Sequence, residues 1–196
     1  MSMLINSVPE SLTIAGTEYE IKTDFRVWLK FEMMLTDEVS DSATTLADIK
    51  KLIFKSDMPP EREDEETAER ILWFYRCGKP EQKNSSSSSK EVFSYEYDDG
   101  YICAAFMEQY HIDINTVKLH WWKFRAFMLA LSEETEFVKI MGFRSIEITS
   151  KMTAAQKAYY QKMKKLYKLP VKKEVQEKIS AIEEALIKGE PIDNML

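Results

Sequence analysis

Near the start of the chain, apolar and polar side chains alternate. Leu12-Thr13-Ile14 and Tyr19-Glu20-Ile21 flank Ala15-Gly16-Thr17, the period-two pattern of a short β-hairpin. A hairpin this small needs helices to pack against. From Thr23 or Asp24, either of which supplies a capping oxygen, the period lengthens: Phe25, Trp28, Phe31 and Leu35 predict the apolar face of a helix. Residues 45–55 predict a second helix with the stripe Leu46, Ile49, Leu52 and Ile53, closed before Pro59-Pro60. Glu61, Glu63, Asp64, Glu65 and Glu66 then crowd carboxylates into the first turn of a third helix, where they complement exposed amide dipoles. Its apolar side is Ile71, Leu72, Phe74 and Tyr75, and Gly78 with Pro80 ends it.

Residues 79–91, KPEQKNSSSSSKE, contain no apolar side chain, so nothing there offsets ordering entropy and a disordered loop is expected. Residues 92–97 predict a short extended stretch, and Asp98-Asp99 the cap of a helix over 100–110. The strongest pattern runs over 113–131. There Ile114, Val117, Trp121, Phe124, Met128 and Leu131 form one stripe, with Leu119, Trp122, Ala126 and Leu129 on an adjoining face. This predicts a central helix on the order of 28 Å long. Over 132–149 a short helix stopping at Gly142 is expected, with a connection through Phe143-Arg144-Ser145; Thr153 opens a Lys-rich helix to 169, ended by Pro170. Val175, Ile179, Ile182 and Leu186 mark an amphipathic segment over 174–188. The expected fold is mainly α: a single helical-bundle domain over 1–170 with a small N-terminal β-hairpin, followed by an amphipathic tail over 171–196.

Charge adds an asymmetry. The net charge is −6, yet residues 151–178 hold nine Lys against Glu174 and Glu177, so a positive segment sits on an acidic body. The overall balance argues against a general nucleic-acid binder, which needs a positive face to neutralise phosphates. Cys77 and Cys103 have neither CxxC spacing nor nearby histidines, which disfavours zinc and a disulfide scaffold. No window approaches the roughly 18 unbroken apolar residues of a membrane helix, so no membrane partner is expected.

Catalytic chemistry finds little footing. His111 and His120 are nine residues apart, without an evident acid–base partner, and structural roles fit them better. The acidic run of 61–69 lacks the alternating ligands and turn glycine of a calcium loop and reads as a solvated helix start. Five glycines, at 16, 78, 100, 142 and 189, cannot assemble a phosphate-cradling loop. No enzyme activity, cofactor or metal is expected.

Two segments suit macromolecular contact. The cations Lys157, Lys162, Lys164, Lys165 and Lys168, with Tyr159 and Tyr160, could meet nucleic acid, which makes a nucleic-acid-binding regulator using helix 153–169 the alternative function. Lysine without arginine lacks the planar fork of base recognition, and a solvated face or an electrostatic dock for an acidic partner explains the cluster as well. In LHWWKFRAF, residues 119–127, Trp121 and Phe124 belong to the packed stripe. Trp122 and Arg125 fall off it, one turn apart, and with Phe127 are the better interface candidates.

The runs YICAAFMEQYHIDI, LHWWKFRAFMLALSEETEF, KIMGFRSIEI and YYQKMKKLYKLP within 101–169, with the opening TDFRVWLKFEMML, resemble the tail assembly chaperones of long-tailed phages and prophages of Gram-positive bacteria. The resemblance implies a non-catalytic protein of the host cytoplasm, made just before the tape measure protein, that coats and solubilises this partner and is absent from the finished virion. It also implies self-association and, often, a frameshifted longer form. On this reading helix 113–131 forms the floor of an apolar groove with Trp122 and Arg125 at its edge. The Lys-rich helix, with Lys157, Lys164 and Lys165, flanks it. Eleven methionines supply adaptable apolar surface.

Overall fold

The computed structural model describes residues 3–36, 45–80 and 92–170. The chain is mainly α-helical with an N-terminal hairpin, and it divides into two compact units: residues 1–90 with 99–139, and residues 91–98 with 140–196. The serine run of the expected loop 79–91 and the tail 171–196, with its segment 174–188, lie outside the described residues.

In the first unit, β1 (Ser11–Ile14) pairs antiparallel with β2 (Thr17–Glu20), with Leu12 opposite Tyr19 and Ile14 opposite Thr17. The turn is tighter than the sequence suggests. Only Ala15 and Gly16 form it, both at positive φ (46° and 78°), the combination whose twist suits a two-residue hairpin. Leu12, Ile14 and Ile21 are buried, and β1 packs on α3 (Asp64–Tyr75). The Glu66 carboxylate accepts from the Ala15 N–H at 3.1 Å, so the acidic start of α3 also holds the hairpin turn.

Helix α1 (Phe25–Thr36) starts where the Asp24 carboxylate accepts from the Arg26 N–H, and it buries Phe25, Trp28 and Phe31. Leu35, expected on that face, is instead 51 % exposed. Helix α2 (Leu46–Ile53) opens with a capping box: Thr45 Oγ1 accepts from the Asp48 N–H, and the Asp48 carboxylate from the Thr45 N–H. It packs on α1, and its Lys50, buried among apolar neighbours, pairs with Asp64 at the start of α3. A 3-10 turn at Glu61–Glu63 leads into α3, which buries Thr67, Ile71 and Phe74; Leu72, expected on the apolar side, is exposed. Helix α4 (Asp99–Tyr110) buries Ile102, Ala105 and Phe106.

The expected helix 113–131 is corrected. Helix α5 covers only Trp121–Leu129. Asp113 folds back instead, its side chain accepting from the Asn115 N–H and its carbonyl from the Thr116 and Val117 N–H groups. The Arg26 guanidinium takes the carbonyls of Ile114 and Val117. Leu119 and His120 are then drawn out beside the start of α1: Phe25 N–H donates to Leu119 O at 2.9 Å and Trp121 N–H to Thr23 O at 2.8 Å. A long-range backbone pairing thus breaks a pattern that local periodicity reads as one helix, and Val117 and Leu129 are left exposed.

Helix α6 (Glu136–Ser145) continues through Gly142, where a stop was expected. Gly142 lacks the positive φ of a C-terminal cap, which Gly78 at the end of α3 does have, at 70°. In the second unit, residues 95–97 form a turn, not an extended stretch. Asp98, expected as a helix cap, is buried instead in a bidentate pair with Arg144 at 2.6 and 2.8 Å, and Arg144 also donates to the carbonyls of Val92 and Tyr167. One guanidinium therefore joins the 92–98 segment, α6 and the end of α7 (Ala154–Leu166). Helix α7 starts on the Thr153–Gln156 capping box.

The two glycines give opposite expectations. Gly142→Ala should stabilise the protein by about 0.5–1 kcal/mol in urea denaturation, because it sits in a helix with nothing within 4 Å of an added Cβ. Gly78→Ala should destabilise by about 1–2 kcal/mol, since its φ is left-handed and a Cβ would meet Trp122 at 3.0 Å. A loss at Gly142 would restore the helix stop there.

Candidate protein-binding surface

The aromatic run on α5 was the leading interface candidate, and its geometry begins one residue before the helix. His120 caps α5 through its ring: Nδ1 accepts from the Trp122 N–H at 3.0 Å, which leaves Nε2 as the N–H donor to Pro9 O at 3.0 Å. Both nitrogens are engaged in holding backbone. Burial pushes the imidazole pKa down; the Pro9 carbonyl opposes this, Lys123 adds to it and Glu10 opposes it.

Trp121 and Trp122 are both fully packed, at 0 % and 1 % exposure. Their indole N–H groups donate to consecutive carbonyls at the end of α3, Trp121 to Tyr75 O at 2.9 Å and Trp122 to Phe74 O at 2.8 Å. The terminal carbonyls of a helix lack intrahelical partners; Trp121 serves Tyr75 O, and Trp122 adds a second donor to Phe74 O, which already accepts from the Cys77 N–H at 2.9 Å. Trp122 further lies edge-on to Trp73 and tilted against Phe74. The expectation that Trp122 stands off the packed stripe is therefore corrected: with α5 starting at Trp121, both indoles point at α3, and Trp122 offers a partner no surface.

Arg125 is half-buried, with its guanidinium 5.5 Å from the Trp121 ring centroid. Its charge also reaches Glu32 on α1. There burial raises the carboxyl pKa, while a hydrogen bond with Tyr75 and the Arg125 charge draw it down. Phe127, half-buried, packs 4.7 Å from Tyr110 and 6.3 Å from Phe106 by ring centroids, and its carbonyl accepts from the Tyr110 hydroxyl. These two residues keep partial exposure within a packed aromatic layer.

Lys157, Lys164 and Lys165 belong to the second unit. Lys157 and Lys164 are half-buried on the side of α7 that meets α6, where Lys164 Nζ donates to Arg144 O at 3.0 Å. Lys165 is exposed. Sequence reasoning missed the polar groups that hold each unit together: His120 as a cap, Lys50 with Asp64, and Arg144 with Asp98. Only Arg144 falls in a run that carries the family resemblance, KIMGFRSIEI.

Large apolar side chains also stand in solvent in the first unit: Met33 and Leu35 on α1, Met107 on α4, and Leu129, 72 % exposed, at the end of α5. Among the described residues no three His, Cys, Asp or Glu side chains come together as metal ligands, and no helix is long and apolar enough to cross a membrane. A family model described as Bacteriophage Gp15 protein matches residues 4–169. No curated protein and no solved structure matches the chain.

The His120 geometry predicts a pH dependence. Burial holds the folded imidazole pKa below its ordinary 6.5, and protonation of Nδ1 would remove the acceptor that caps α5. The cap's contribution is present in full above that ordinary value and is lost as pH falls through the lower folded pKa. Thermal melts of the native protein should lose stability over this interval relative to His120→Asn, which keeps a capping acceptor without the titration. Parallel pH profiles for the two proteins would refute the assignment.

Proposed function

The chain belongs to the family described as Bacteriophage Gp15 protein, and from that premise we propose that it is a tail assembly chaperone, binding and solubilising the phage tape measure protein while the tail is built. The observation that carries this reading is the extent of the match. It takes in the hairpin, all seven helices of the described residues and every run that resembles tail assembly chaperones. A phage protein made to coat a long helical partner needs apolar surface that adapts to imperfect repeats, and the exposed Met33, Leu35, Met107 and Leu129 are of that kind.

The polar chemistry supports binding over catalysis. The half-buried His120 has both ring nitrogens committed to backbone, and Arg144 and Asp98 satisfy each other. On this reading the chain works without a cofactor in the host cytoplasm, associates with further copies of itself or with a frameshifted longer form, and leaves before the virion is complete. Lys165 is exposed, and Arg125, Phe127, Lys157 and Lys164 each keep part of their surface for a partner.

Co-expression with the tape measure protein of the same genome tests the proposal. Pull-down and sedimentation should show that the otherwise insoluble partner enters a stoichiometric soluble complex. A well-folded chain that leaves the partner in the pellet would overturn it. A nucleic-acid affinity falling steeply with salt would favour the regulator instead. Trp122→Ala should lower stability by about 3–5 kcal/mol, because it empties a buried indole site. Lys165→Glu should leave the melting curve unchanged and weaken the complex.

A further inference from the structure

The acidic start of α3 is only half used inside its own unit. Of the six carboxylates over 61–69, Glu63 pairs with Arg62, Asp64 with Lys50, and Glu66 with Arg70 and the Ala15 N–H. Glu61, Glu65 and Glu69 are exposed and make no hydrogen bond or ion pair with any of the described residues. Glu65 and Glu69 stand one turn apart on α3, a spacing at which like charges repel. Leu72, 37 % exposed, continues the same face in the next turn.

Helix α7, in the second unit, presents the complement. Residues 148–170 hold six lysines and no carboxylate. Lys164 is half-buried and donates to Arg144 O, whereas Lys162 and Lys165 are exposed, three residues apart, and bond to none of the described residues. Ala155 and Ala158, both exposed, extend this row toward the start of the helix. At 3.6 residues per turn the row lies opposite the half-buried Lys157, Tyr160 and Lys164, so it faces away from the side of α7 that packs. Two methyl side chains at its near end let another helix approach closely.

Run antiparallel, the two rows fall into register. Setting Leu72 against Ala158 brings Glu69 beside Lys162 and Glu65 beside Lys165, with rises along the two helices that agree to about 1.5 Å. The large apolar side chain of one row meets the small ones of the other, and each pair of like charges meets its opposite. We propose that the 155–165 face of α7 docks antiparallel on the 65–72 face of α3 in a second copy of the chain. The two surfaces differ, so the contact is heterologous: a bound pair still presents one α3 face and one α7 face, and the assembly grows as a ring or an open chain. The inference rests on the self-association in the proposed function, to which it gives a surface, and not on the tape measure protein.

Charge reversal in the full chain, followed by sedimentation velocity without any partner, tests the contact. The native protein should self-associate, and less tightly as salt is raised, because the paired charges are screened. Lys162→Glu with Lys165→Glu, and Glu65→Lys with Glu69→Lys, should each weaken self-association at least about tenfold by setting like charges against each other. Mixed in equal amounts, the two variants should associate again, since every contact then joins opposite charges. The single reversals Lys162→Glu and Glu69→Lys, mixed in the same way, carry the test should a double variant lose its helical circular dichroism. No recovery in the mixture would overturn the contact. So would self-association that neither reversal weakens, a result that leaves self-association standing on another surface. A native monomer whose melting temperature falls in each variant, and recovers with all four substitutions in one chain, would overturn the second copy and assign the two faces to each other within a single chain.

Discussion

The end of helix α3 is where the first unit is tied together. A helix leaves its last carbonyls without intrahelical partners, and these must be satisfied wherever the end is buried. Here Trp121 donates to Tyr75 O, Trp122 adds a second donor to Phe74 O beside the Cys77 N–H, and Gly78 N–H turns back to Trp73 O. An indole left without its acceptor would strand a buried polar group at a cost of about 1–3 kcal/mol. The two bonds therefore set the rotation of α5 against α3, and the rest of the aromatic layer follows: Trp121 stacks on Tyr75 and Phe124, and Phe124 on Phe25 and Phe106. Gly78 belongs to the same arrangement, since a side chain there would press on the Trp122 ring.

That arrangement explains what the sequence could and could not disclose. Features decided within a few residues were legible: the hairpin around Gly16, the helix starts near Thr45 and at Thr153, and most of the packed faces of α1 and α3. The reading of 113–131 failed because its hydrophobic period is real but the backbone at Leu119 and His120 is claimed by Thr23 and Phe25, some ninety-five residues away. Periodicity reports where side chains could point and carries nothing about a carbonyl taken by a distant segment of the chain. Trp122 was misplaced because periodicity along α5 does not report that a second helix, α3, covers the adjoining face. Gly142 shows a different limit, since a glycine inside a helix and one at its end look alike without φ.

In the second unit the buried Arg144–Asp98 pair plays the corresponding part. Removing either partner of such a pair leaves an uncompensated charge, so the two residues specify each other more than they add net stability. Arg144 uses its whole fork, two bonds to Asp98 and further ones to the Val92 and Tyr167 carbonyls, which a lysine with one point of attachment could not reproduce. This is the physical content of the run KIMGFRS.

The runs by which the chain is recognised are therefore the runs that build it. In LHWWKFRAF, Leu119 pairs backbone with α1, His120 caps α5, both tryptophans hold α3, and Phe124 is buried in the aromatic stack. Distinctive residues of this kind identify a fold and say little about the surface that meets a partner. A protein that coats a long repetitive helix has no need of one fixed lock, because the partner presents the same apolar chemistry in many local shapes. Adaptable side chains that stand in solvent, such as Met33 and Met107, suit that task better than an indole held by two neighbours. On the proposed reading, the binding surface is to be sought where the sequence is plain, with the conspicuous aromatic run serving as the frame that holds it.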